Sequence, residues 1–169
     1  RQRMSWWPGL DLLGVAAGPR ARRGDATIER AAAWLADNDQ PALLWVHLYD
    51  AHGPYTVPVD FRPDADAMDR ARSADRADMN RRDGQAMGLI DLLHAGRPAQ
   101  QKLSYRAGVR YVDHLVTELL ANVDSDARIV VVGDHGESLD EHDYLFNHGA
   151  TLFEPSLAVP LVVVAPGVA

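Results

Sequence analysis

Four consecutive β-branched residues, Ile129, Val130, Val131 and Val132, constrain this chain more than any other feature in it. Such a run has the composition of a strand buried on both faces, the kind that alternates with helices in a parallel sheet. Gly133 ends the run, and a carboxylate and an imidazole follow at once, Asp134 and His135, before Gly136 leaves room around the backbone. Ligands of open α/β sheets bind in the crevice at the carboxyl ends of the strands, so this pair arrives where chemistry is done. An aspartate beside a histidine offers one oxygen and one nitrogen to a divalent cation. A dense cluster follows (Glu137, Asp140, Glu141, His142 and Asp143), and then the pair His148-Gly149. The D-H-G tripeptide alone also suits a solvated strand-to-loop turn, with Asp134 capping the backbone beyond it.

A second apolar run, ALLWVHLY at 42–49, reads as another buried strand. Its far end delivers Asp50-Ala51-His52-Gly53-Pro54-Tyr55, and Gly53 with Pro54 turns the chain sharply. His52 therefore falls at the same sheet edge as Asp134. Asp50 could orient the His52 ring or cap the turn, and the residues leave both roles open. His47, inside the run, reads as a hydrogen-bonded interior histidine or as one that supports a functional group from behind.

The remaining pattern supplies helices and one more strand. Asp25 is an N-cap candidate for a helix running to about Asn38, with Ile28, Ala31, Ala32 and Leu35 on one face. From Gln101 to about Asn122, Leu103, Ala107, Tyr111, Leu115 and Leu119 recur every fourth residue, an amphipathic helix suited to lying on a sheet. Leu152 to Leu157 predicts a short helical turn, Pro160 breaks it, and LVVVAP forms the third strand. Strand, helix, strand, short helix, strand is the order of an α/β fold with a mostly parallel sheet flanked by helices. Between 59 and 100 the chain is crowded with Asp and Arg at three- and four-residue spacing, which predicts one or two solvent-exposed helices laced with weak ion pairs.

Composition narrows the function classes. With 169 residues, 47% of them hydrophobic, the chain suits one domain with a sizeable core. No apolar run approaches the roughly 18 residues that a membrane helix needs. The net charge of −7, with no basic stripe, speaks against nucleic acid as a partner. There are no cysteines, so this sequence holds no disulfide, thiolate metal site or cysteine nucleophile. An acidic protein does not attract an anionic substrate over long range, so a site for one must supply local positive charge.

The surroundings of the D-H-G tripeptide carry a family resemblance. VVVGDHGESLDEHDYLFNHGATLFEPSLAVPLVVVAPG resembles the second half of the catalytic domain of the sulfatases, in the alkaline phosphatase superfamily, with N-H-G where G-H-G is more usual. LLWVHLYDAHGPYTVP at 43–58 is similar to the family's strand followed by D-P-H-x-P-Y, with Ala51 in place of Pro. YRAGVRYVDHLVTELLANV at 105–123 resembles the helix between those blocks. The three blocks stand in family order and span most of the chain from residue 25 onward.

The resemblance implies an alkaline-phosphatase-like α/β fold and a metal-dependent hydrolase of sulfate esters, on a small molecule or a glycan. It assigns Asp134 and His135 to the cation, usually calcium or magnesium in that family. A histidine ligand keeps manganese and zinc open, because alkaline-earth cations prefer oxygen. It gives His52 and His148 to the sulfate or the leaving-group oxygen, and leaves Glu137, Glu141 and His142, with Asp50, as supports behind them. It makes 59–100 a variable insertion that could cover the site mouth, and family habit makes the location periplasmic or extracytoplasmic. Sulfatases open with an Asp-Asp metal pair and a C/S-x-P-x-R nucleophile motif, and neither occurs here. The expectation is thus that 1–169 form one partial catalytic domain lacking its N-terminal half and its nucleophile, and inactive alone. Phosphonate or phosphodiester hydrolases and phosphoethanolamine-type transferases of the superfamily remain alternatives, as does a non-catalytic α/β binding module.

Overall fold

A computed structural model of the chain describes residues 22–82, 98–139, 141–143, 148–149 and 151–167. Trp6 and Trp7, the Met87–Leu93 group and Asp140 lie outside the described residues. Three helices build the interior: α1 (Gly24–Asp37), α2 (Ala65–Arg82) and α3 (Pro98–Leu120). Their contact faces come from the expected spacing. Ile28 and Ala31 of α1 are buried, as are Ala107, Tyr111 and Leu115 of α3, four residues apart on one stripe. With Val57 they form the core, and half-buried Val46, Leu48, Phe61 and Leu119 pack around it. Leu115 at the centre is 1% exposed.

Two helix starts are capped by carboxylates from elsewhere in the chain. The predicted cap Asp25 sits inside α1 and pairs with the Arg23 guanidinium at 2.5 Å instead. The Gly24 N–H donates to Asp50 Oδ1 at 3.0 Å, so the cap of α1 arrives 26 residues downstream. A Cβ on Gly24 would overlap both Asp50 and Leu115, so this close approach needs glycine. At α3, Asp75 of α2 is 3% exposed and accepts from Ala99 N at 2.8 Å, Gln100 N at 3.3 Å and Gln100 Nε2 at 2.8 Å. Those bonds satisfy first-turn N–H groups and offset the cost of burying a carboxylate. Apart from Asp75 and buried Ala71, residues 65–77 of α2 are mostly exposed, as expected of a solvated helix, with an exposed Arg72–Asp69 pair at 2.7 Å.

The expected parallel sheet is not what the described residues form. Strands β1 (Ile129–Val132) and β2 (Leu161–Val164) pair antiparallel, Ile129 opposite Val164 and Val132 opposite Leu161. A parallel pair needs a crossover of a dozen or more residues, usually a helix. The described part of the 133–160 connection holds only a single 3-10 turn (Glu141–Asp143) and the four-residue helix α4 (Glu154–Leu157), and β2 returns alongside β1. The predicted strand at 42–49 also differs: it pairs with no strand among the described residues. Its side chains still alternate, Val46 and Leu48 toward the core, Trp45, His47 and Tyr49 outward. His47 is therefore exposed, not an interior histidine.

Candidate active site

The loops after the 42–49 segment and after β1 meet beside the core. The first is a tight turn: His52 N donates to Tyr49 O and Tyr55 N donates to His52 O, each at 3.1 Å. Behind it, a Cβ on Gly108 of α3 would stand 3.1 Å from the Asp50 carbonyl oxygen, so the missing side chain lets the turn sit against the helix. The second loop is pinned to the segment that leads into β2. Gly133 N donates to Pro160 O at 3.2 Å and Gly136 N to Ser156 O at 2.9 Å.

Three of the expected histidines come together. The His135 and His148 rings stack with centroids 3.8 Å apart, and His52 stands edge-on to His148 at 5.5 Å. Tyr49 stacks on His52 at 4.4 Å. Each imidazole meets an oxygen through Nδ1: His52 with Gly53 O at 2.8 Å, His135 with Gly136 O at 2.7 Å, His148 with Glu137 Oε1 at 3.3 Å. Carbonyl and carboxylate oxygens only accept, so each neutral ring carries its proton on Nδ1 and its lone pair on Nε2. An Nε2 lone pair can bind a cation or take up a proton, and the resulting imidazolium can donate it.

Asp134 completes the arrangement at the surface, 74% exposed in its side chain, with Oδ1 3.8 Å from His135 Nε2. The same oxygen accepts from His135 N at 3.0 Å. One oxygen and one imidazole nitrogen, with the histidine already in the right tautomer, suit a divalent cation. They are short of the shell that calcium takes, about six to eight oxygens. Among the described residues no group of three or more His, Asp or Glu could hold a metal ion.

Glu137 differs from its neighbours. Its side chain is 9% exposed, and Tyr55 donates to Oε2 at 3.3 Å while His148 meets Oε1. Burial pushes the Tyr55 phenol well above its usual range, and the Glu137 charge raises it further. Tyr105, edge-on to Tyr55 at 5.7 Å, is raised by the same two causes in the same order. Both phenols therefore stay protonated beside the carboxylate.

Three expected supports, Asp50, His142 and Glu141, lie elsewhere. Asp50 serves α1, as described, and its Oδ2 is buried without a hydrogen-bond partner. His142, in a left-handed conformation at φ 58°, stacks on Phe153 at 4.1 Å. Glu141 accepts from Leu139 N at 2.8 Å and holds its own loop. Sequence reasoning assigned nothing to Tyr49, Tyr55 or Tyr105. Tyr55 ends the D-A-H-G-P-Y block, which was its one available signal. The family model described as Sulfatase matches residues 22–169. No curated protein matches the chain.

Proposed function

The chain belongs to the sulfatase family, and on that premise we propose that it carries the cation-binding and leaving-group side of a sulfate ester hydrolase site. One observation supports this best: His52 from one sequence block stands 5.5 Å from His148 of another, which itself stacks on His135. Nothing local in the sequence requires that meeting. Hydrolysis of a sulfate ester needs charge withdrawn from the sulfate oxygens and a proton delivered to the departing alkoxide. Asp134 and His135 would supply two of the ligands of a divalent cation, which supplies the charge withdrawal when bound. His52, with Nδ1 tied to Gly53 O, takes a proton on Nε2 and donates it from there to the leaving oxygen. His148 presents Nε2 in the same sense and contacts the sulfate or shares that proton transfer. The substrate is a sulfate ester of a small molecule or a glycan, and the nucleophile comes from outside these residues.

The test is a cation titration and an activity assay on the 169-residue chain. Isothermal titration with Ca²⁺ and Mn²⁺ is expected to show weak binding that Asp134→Ala abolishes, while an aryl sulfate is not turned over. Turnover by this chain would refute the division of the site. A second reading has its own observation. Leu43 is 91% exposed, Trp45 82%, and every residue of β2 more than half, an apolar surface that suits a binding module. Absence of any cation binding would favour that module over the hydrolase.

A further inference from the structure

We propose that Glu137 is a positioning residue, which fixes the His148 ring from behind and is itself held by Tyr55. His52 and His135 are each tied through Nδ1 to the carbonyl of the very next residue, Gly53 and Gly136, so a local turn suffices to orient them. His148 instead meets a carboxylate 11 residues away. That carboxylate is anchored by a phenol 82 residues away in the other block. Three elements are thus linked through Glu137 and its anchor: the loop after β1 that bears Glu137, the turn bearing Tyr55, and α3, whose Tyr105 packs edge-on against Tyr55. Tyr55 has φ 56°, a left-handed backbone that a non-glycine residue adopts only when its surroundings impose it.

The chemistry makes the anchor directional. An ionised carboxylate accepts and never donates, so contact with Glu137 Oε1 assigns the neutral ring's proton to Nδ1 and its lone pair to Nε2. Carboxylates behind functional histidines act in this way, setting tautomer and ring orientation without touching substrate. Glu137 also joins the two histidine-bearing loops, because the residue that holds it lies three positions after His52. Losing the carboxylate would loosen His148 against both neighbouring rings.

This inference rests on the reading of His148 as a substrate-facing side chain, but its test reads the ring and not turnover. The histidines of the ¹⁵N-labelled chain would be followed by long-range ¹H–¹⁵N correlation at about pH 8.5, where ordinary imidazoles are neutral. All three clustered histidines are expected in the Nδ1–H form. Glu137→Ala is expected to move His148 alone toward the Nε2–H form, with His52 and His135 unchanged as internal controls. Glu137→Gln, which keeps an accepting oxygen, should retain the Nδ1–H form with a displaced Nδ1 resonance. It carries the test if Glu137→Ala does not fold. An Nε2–H His148 in the wild type, no change in Glu137→Ala, or an unmoved Nδ1 resonance in Glu137→Gln would each overturn the proposal. The expected tautomers together with no cation binding at Asp134 and His135 would count against the sulfate ester reading alone.

Discussion

The helical interior and the two-stranded sheet draw on the same kind of side chain and treat it in opposite ways. Leu115 on α3 is 1% exposed, while Leu161, Val162, Val163 and Val164 on β2 are 64, 51, 55 and 52% exposed. Hydrophobic stabilisation follows the area removed from water, so a Val in the second setting contributes only about half of what its composition promises. An apolar run therefore states which surface a chain can bury, and only its neighbours decide whether it does. The histidine cluster lies on the border between these regions. His52 hangs from a turn seated on α3, and His135 follows β1.

The contrast can be broken experimentally. Leu115→Ala should cost about 2–5 kcal/mol, the usual range for a fully buried leucine, measured as a fall in urea midpoint at unchanged m-value. A loss under about 1 kcal/mol would mean that the helical interior is far looser than its burial indicates.

Alkaline pH probes the border. The Tyr55 and Tyr105 phenols are raised in the folded state by burial and by the Glu137 charge. A raised acid binds its proton more tightly when folded, so this contribution is complete below the ordinary phenol value of about 10. It is lost as pH rises from there through the folded values. Denaturant unfolding between about pH 9 and 11.5 should show falling stability, with a shallower slope in Tyr55→Phe. Equal slopes in the two proteins would remove Tyr55 from the account.

The smallest effect belongs to β2. Val163→Thr replaces a methyl with a hydroxyl on a half-exposed strand and should change stability by no more than about 0.5 kcal/mol. A cost above about 1 kcal/mol would show that this face is covered in solution, and the comparison would fail.

How far the sequence could be read depended on the range of the interaction. The four-residue spacing of Ala107, Tyr111 and Leu115 gave α3 and its buried face, because helical periodicity is a local property. The valine runs gave β1 and β2 as strands, but the described residues form one antiparallel pair and not the mostly parallel sheet expected around them. Strand direction depends on what the connection can span, and no residue within the strand encodes it. The run at 42–49 has the right composition and the alternating exposure of a strand. A strand is completed by a partner's hydrogen bonds, and none is paired with it among the described residues.

The candidate site divides along the same line. The sequence by itself determined which chemical groups are present and where along the chain they sit. Asp134 and His135 follow β1, His52 follows the second apolar run, and His148 lies in the block that opens with β1, with no cysteine anywhere. The tertiary structure alone decided which of them meet. It brought His52, His135 and His148 within ring contact, sent Asp50 to the start of α1, and turned His142 onto Phe153. It also chose Tyr55, 82 residues from Glu137, as the partner of a part-buried carboxylate. The physical reason is common to all of these. A hydrogen-bonding group removed from water must find a partner wherever the packed chain offers one, and sequence spacing constrains that choice only within a turn or two.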